Sequence, residues 1–150
     1  MVKKMQTFVH IGFAFAMGMI MSIYLPMNSS VSRHLGSPLT ATITFFLAAL
    51  LTAMLIFMFC GRIESLQKIK DVPAYLYLSG FISAFIILGT THLIPYLGAR
   101  RFFILLLSGQ IVMAIIVSHL GILESPKDPV SIKKITGASL VILGAWVSTS

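Results

Sequence analysis

Residues 102–123 have the sequence FFILLLSGQIVMAIIVSHLGIL, a run of 22 residues without a charged side chain. One α-helix needs about 20 mostly apolar residues to cross a lipid bilayer. In this run the apolar residues would lie on all sides of a helix, whereas the strands of membrane barrels alternate apolar and polar residues. The run therefore predicts a transmembrane helix, and it decides the fold class.

Four more charge-free runs accompany it, at residues 5–32, 34–61, 72–99 and 135–150. The last run is short, and it reaches span length only if Lys133 and Lys134 extend their amines to the membrane interface. We therefore expect an all-α membrane protein in a single domain. Its five transmembrane helices are predicted at about 6–27, 39–60, 73–94, 102–123 and 131–148.

The composition of the 150 residues agrees with this class. Apolar residues make up 57% of the chain and charged residues 10%, and the mean hydropathy is +0.98. Soluble domains carry about 25% charged residues, which excludes a soluble enzyme, a disordered segment and a secreted disulfide scaffold. The net charge of +7 comes from small groups of Lys and Arg between the runs, so we expect a lipid bilayer and no nucleic acid as a partner.

The positive residues also predict the orientation. With the N-terminus in the cytoplasm, eight Lys and Arg residues lie on the cytoplasmic side and three lie outside. The eight are Lys3, Lys4, Arg62, Lys68, Lys70, Lys127, Lys133 and Lys134, and the three are Arg33, Arg100 and Arg101. The positive-inside rule then favours a cytoplasmic N-terminus, and five spans place the C-terminus outside. The first run exceeds the usual signal-peptide length and no A-x-A site follows it, so we expect it to stay uncleaved.

Proline and capping residues predict where the helices begin and end. Ser37 and Pro38 suit the N-cap and first turn of the second helix, and Asp71 and Pro73 suit the same positions of the third. Pro26 and Pro95 are expected to end the first and third spans, because proline disfavours continuation of a helix. Both prolines are therefore candidate helix-break or gating residues.

Polar side chains within the runs are the candidate substrate contacts. Gln110 lies about 12 Å into the fourth span, where its amide needs a partner on another helix or on a substrate. Asn28 follows Pro26, where an interrupted helix would expose backbone groups to a cavity. Ser118, near the end of the fourth span, continues the helical face of Gln110 and is a further candidate. His92 and His119 also lie near span ends, and they suit capping, interface or relay roles. All four acidic residues lie between the spans, and we expect no metal site and no cofactor.

Small residues recur at helical spacing on three of the predicted spans, and Gly80 and Ala84 share one face of the third. Ala14, Gly18 and Ser22 share one face of the first helix, and Gly137 and Gly144 share a face of the fifth. Such faces let helix backbones approach closely in lipid. They suit either packing within the chain or a dimer interface.

Several short stretches resemble one known family. They are PMN at 26–28, LGSP at 35–38, YLGA at 96–99, SGQ at 108–110, VSHLG at 117–121 and PVS at 129–131, followed by the segment 137–144. In this order they resemble the five-span YdcZ-like proteins, a half-length branch of the drug/metabolite transporter superfamily. Larger members of that superfamily resemble two five-helix units joined as inverted repeats, with substrate crossing between them.

The resemblance implies half of such a transporter in the bacterial inner membrane. It would be an exporter of a small metabolite that works by alternating access as a dimer. Its partner would be an oppositely oriented paralogue or a second copy. The family commonly has an aspartate where this chain has Ser118, so a coupling role at that position is in doubt. The alternative is a non-transporting accessory subunit of a membrane complex. We do not expect an enzyme, because the predicted spans contain no cluster of His or carboxylate residues of the kind that carries out catalysis.

Overall fold

The computed structural model describes residues 2–123 and 125–149, and the side chains of these residues except at 2–4 and 149. In this part of the chain every regular element is helical, and no strand is present. The six α-helices are α1 (Val2–Leu35), α2 (Pro38–Cys60), α3 (Ile63–Gln67), α4 (Leu78–Leu97), α5 (Ala99–Leu120) and α6 (Ile132–Thr149). Two 3₁₀ turns, Lys68–Asp71 and Ala74–Tyr77, lie between α3 and α4.

Four helical segments in the described residues are long and apolar enough to cross a membrane. They are Met5–Leu35, Pro38–Cys60, Ala74–Leu97 and Ala99–Leu120. Helix α6 has 18 residues and carries Lys133 and Lys134 in its first turn, and it is not among the four. An all-helical membrane fold is therefore confirmed, whereas the fifth crossing stays a prediction.

The chain divides into two compact units, Met1–Tyr96 and Leu97–Ser150, and the single domain expected from the sequence stays a prediction. In the first unit, α1 packs against α2, and Tyr24 stacks on Phe45 with ring centroids 5.9 Å apart. Leu25 and Ala41 are buried. In the second unit, α5 packs against α6.

The start of α2 is capped as the sequence predicts. Ser37 is the N-cap, Pro38 occupies the first turn, and the Ser37 Oγ accepts a hydrogen bond from the Thr40 N–H at 3.2 Å. Gly36 precedes the cap with a φ of +68°, a left-handed conformation that glycine adopts without steric cost. The local sequence therefore fixes the turn between α1 and α2.

The expected helix ends at Pro26 and Pro95 are wrong, because α1 and α4 continue through both prolines. Proline removes one N–H donor, whereas ending a helix in an apolar environment leaves several backbone groups unpaired. One lost hydrogen bond is the smaller penalty. The third long helix also begins later than expected, at Leu78, because Ala74–Tyr77 form a 3₁₀ turn first.

Replacing Ser37 by alanine should lower the unfolding free energy by about 1 kcal/mol, because the Thr40 N–H loses its acceptor. The measurement is unfolding in mixed detergent micelles, followed by helical circular dichroism. Ser37→Asp keeps an acceptor and is the matched control. Equal stability of the two variants would contradict a capping role for Ser37.

Candidate functional site

A cluster of small polar side chains is buried in the first unit. Its members come from α1, α2 and α4, and each is at most 8% exposed: Asn28, Ser29, Ser32, Thr42, Thr90 and Thr91. We call this set the hydroxyl–amide cluster. None of its side chains carries a charge, so the cluster offers hydrogen-bond donors and acceptors without an ionic contact.

Two hydrogen bonds from α1 to α4 organise the cluster. The Asn28 Nδ2 donates to the Thr91 Oγ1 at 2.7 Å, and the Ser29 Oγ donates to the Thr91 carbonyl at 3.3 Å. The Thr91 hydroxyl in turn donates to the Ile87 carbonyl at 2.7 Å. Thr91 therefore joins the two helices, because its hydroxyl accepts from α1 and donates within α4.

The remaining threonines of the cluster bond to their own helices. The Thr42 hydroxyl donates to the Pro38 carbonyl at 2.8 Å, and the Thr90 hydroxyl donates to the Ile86 carbonyl. Among the described side chains no buried nitrogen or oxygen atom lacks a hydrogen-bond partner. The side chains of Asn28, Ser29, Thr42, Thr90 and Thr91 therefore each form a hydrogen bond, as buried polar groups in folded proteins generally do.

An open groove of about 510 Å³ lies between the start of α2 and the middle of α4. It is lined by Ser37, Pro38, Leu39, Phe85, Leu88, Gly89 and His92. The His92 ring, 5.0 Å from the Tyr96 ring, and the Ser37 hydroxyl are its polar groups. The lining of the groove is mostly apolar, and the structure places His92 on its wall.

In the second unit, Ser118 and His119 hold the loop that follows α5. The Ser118 carbonyl accepts from the Asp128 N–H at 2.8 Å, and the His119 Nδ1 accepts from the Val130 N–H at 3.2 Å. Asp128 forms an ion pair with Lys134, whose amine also donates to the Pro129 carbonyl at 2.7 Å. These contacts give both predicted site residues a role in anchoring the loop.

A cavity of about 230 Å³ lies beside this loop. Its lining residues are Ile111, Ala114, Ile115, Ser118, Asp128, Val130 and Lys134. The side chains of Lys134 and Asp128 are 38% and 65% exposed, and an ion pair this accessible to solvent contributes little to stability. Ser118 is the predicted site residue on this wall.

Gln110 lies on an exposed part of α5, and it is absent from the wall of the cavity. Its predicted role as a substrate contact stays a prediction. Asn28, in contrast, lies in a hydrogen-bonded cluster that the sequence indicates only in part. Thr91 and Ser29 were missed, although the pair Thr90–Thr91 before His92 in an apolar run is a recognisable signal.

The small-residue faces are exposed within their own units. Ala14, Gly18 and Ser22 are accessible on α1, where the Ser22 hydroxyl donates to the Gly18 carbonyl at 3.1 Å. Gly137 and Gly144 are accessible on α6, and a Cβ added at either would meet open space. Helix α6 instead turns residues such as Ala138 and Ile142 inward. A role of these faces in a dimer stays a prediction.

Comparison with known proteins gives one match that covers most of the chain. The family model DMT_YdcZ, described as "Putative inner membrane exporter, YdcZ", matches residues 9–147. Neither a curated protein nor a solved structure matches the chain. The matched region contains the hydroxyl–amide cluster, the groove and the cavity. It also contains three of the four apolar segments of membrane-spanning length and most of the first, Met5–Leu35. The chain therefore belongs to the DMT_YdcZ family of inner-membrane exporters.

Proposed function

We propose that this chain is one half of a small-metabolite exporter that works by alternating access in the inner membrane. Membership of an exporter family carries the proposal. The hydroxyl–amide cluster supports it, because interhelical hydrogen bonds between uncharged groups can exchange partners at a modest energetic cost in lipid. The proposal assigns the other half of the transporter to another chain, because transporter sites usually form between two repeats.

The proposed exporter uses all five predicted spans, with α6 as the fifth. Its substrate is a neutral or anionic small molecule, since every acidic residue lies between the predicted spans and an unpaired buried cation is costly. Its polar contacts are assigned to Asn28, His92, Gln110, Ser118 and His119. The small-residue faces on α1 and α6 are assigned to the dimer interface.

The pairing follows from the charge bias of the chain. Eight positive residues on one side against three on the other favour a single orientation. An inverted pair then requires a paralogue with the opposite bias, whereas two identical copies would pair in parallel. Either arrangement provides the second unit that an alternating-access cavity requires.

Export is tested with inside-out membrane vesicles and a uniformly ¹³C-labelled extract of small metabolites from the same cells. We expect vesicles that contain the chain to accumulate at least one labelled compound above vesicles without it. Accumulation only after co-production of a second five-span chain would identify a heterodimer. If no compound accumulates with either preparation and the chain co-purifies with a larger complex, the accessory-subunit alternative holds.

The orientation gives a second testable result. Reporters are fused after Ser150, which lies outside the described residues. Alkaline phosphatase at this position should be active and green fluorescent protein should not fluoresce, because five spans place that end outside. A fusion after Gln67, in the segment between α2 and α4, is the control and should behave in the opposite way. A cytoplasmic reporter at Ser150 would contradict the five-span, N-in arrangement.

Gln110→Leu should reduce export by about tenfold, the effect of losing one hydrogen bond to the substrate. The amount of inserted protein should stay unchanged, because Gln110 is exposed in its unit. Ser108→Ala is the matched control, since the Ser108 hydroxyl donates to the Ile104 carbonyl of its own helix. Unchanged export in Gln110→Leu would remove this residue from the substrate path.

A further inference from the structure

The segment between α2 and α4 has an apolar face that repeats every three residues. Ile63, Leu66, Ile69 and Val72 carry it, and each of these side chains is at least 40% exposed. Ile63 and Leu66 lie in the short helix α3, Ile69 lies in the 3₁₀ turn Lys68–Asp71, and Val72 is the extended residue that follows this turn. Residues three apart lie close to one face of such helical segments. We call residues 62–72 the connector.

Polar and charged side chains occupy the other positions of the connector, with Ser65 and Gln67 uncharged. Arg62, Lys68 and Lys70 are basic, and Glu64 and Asp71 are acidic; all five are exposed. A short helical segment with one apolar face and basic residues around it suits the boundary between lipid headgroups and acyl chains. Lysine stems can lie along the apolar layer while the amines reach the phosphates.

Two further observations indicate that the connector stays close to the membrane surface. Its ends adjoin two candidate membrane spans, Pro38–Cys60 and Ala74–Leu97, so neither end can move far from the bilayer. The Tyr77 hydroxyl also donates to the Ile69 carbonyl at 2.8 Å, which ties the 3₁₀ turn to the start of the second of these spans.

We propose that the connector binds the membrane surface itself. Ile63, Leu66, Ile69 and Val72 enter the acyl-chain boundary, and Lys68 and Lys70 bind the phosphates of anionic lipids. In the N-in orientation this surface is the cytoplasmic leaflet, where basic segments beside a transmembrane helix find anionic lipid. The proposal does not depend on transport, and its failure would leave the proposed exporter function intact.

Site-directed spin labelling of the full-length chain in proteoliposomes tests the proposal. The background is Cys60→Ser, and single cysteines replace Leu66 or Ile69 on the apolar face and Glu64 or Gln67 on the polar face. In vesicles of phosphatidylglycerol and phosphatidylcholine, labels at 66 and 69 should collide with oxygen, and labels at 64 and 67 with an aqueous nickel chelate. We expect the ratio of the two collision rates to differ by roughly tenfold between the faces, because one face enters the apolar layer.

A second set of measurements tests whether binding of the connector requires anionic lipid. The difference in the ratio of collision rates between positions 66 and 67 should become smaller in vesicles of pure phosphatidylcholine. It should also become smaller in the variant Lys68→Gln/Lys70→Gln when phosphatidylglycerol is present. A ratio of collision rates that is the same at all four positions would overturn the proposal. Labels on the apolar face that are shielded from both oxygen and the nickel chelate would also overturn it, because such shielding indicates a protein partner. A difference that is unaffected by lipid charge or by the lysine substitutions would overturn the binding of anionic lipid.

Discussion

Replacing Asn28 by leucine should destabilise the first unit and strongly reduce export. The variant loses the Nδ2 donor that bonds the Thr91 hydroxyl at 2.7 Å, whereas the bond from this hydroxyl to the Ile87 carbonyl remains. The loss of one hydrogen bond should cost about 0.5–1.5 kcal/mol. Detergent-induced unfolding measures the stability, and the inside-out vesicle assay measures export. Because the proposed substrate site includes this amide, we expect export to fall by at least about tenfold.

A double-mutant cycle with Thr91→Val separates this hydrogen bond from general packing. Coupling between the two positions should be about 0.6–1.7 kcal/mol, the range measured for interhelical hydrogen bonds in a membrane protein. Ser30→Ala is the control, since the Ser30 hydroxyl accepts from Arg33 on the same helix. A coupling free energy of zero between positions 28 and 91 would show that the α1–α4 hydrogen bond does not stabilise the unit. An equal loss of stability in Ser30→Ala would show the same.

Dilution of the exporter in lipid should abolish its activity. The proposed working unit holds two chains, and mass action disfavours pairs when most vesicles contain a single copy. We expect export per chain to fall by more than about tenfold between dense and sparse reconstitution. Undiminished export per chain at the sparse end would contradict the dimer.

Two tandem fusions distinguish the possible pairings of identical chains. A direct linker makes the second copy start outside, so it favours an inverted pair, whereas a linker with one added transmembrane helix restores a parallel pair. The fusion that keeps its activity in sparse vesicles identifies the arrangement. If neither fusion is active and co-production of a paralogue restores export, the working unit is a heterodimer.

Features set by neighbouring residues were predictable from the sequence, whereas features set by distant contacts were not. Ser37 and Pro38 act within one turn of α2, so the sequence is sufficient to place that helix start. Asn28 stands out as a polar residue in an apolar run, but its partner Thr91 is 63 residues away, and no local pattern specifies that pairing.

Pro26 was misinterpreted because its effect depends on the environment. In water a proline is a common helix end, since solvent can satisfy the freed backbone groups; in an apolar environment the intact helix is preferred. Ser118 and His119 were selected as polar residues near a span end. Their contacts with Asp128 and Val130 depend on the path of the loop after α5, which short-range spacing does not determine.

The length of α1 makes the protein sensitive to the thickness of its bilayer. Helix α1 has 34 residues and extends about 51 Å, whereas the hydrocarbon layer is about 30 Å thick. Asn28 lies 23 residues beyond Met5, about 35 Å along the axis, so its bond to Thr91 falls at the far edge of that layer even when the helix leans by about 30°. Short acyl chains leave this bond among hydrated headgroups, where water competes for both partners. Long acyl chains draw it into hydrocarbon, where no solvent can replace it.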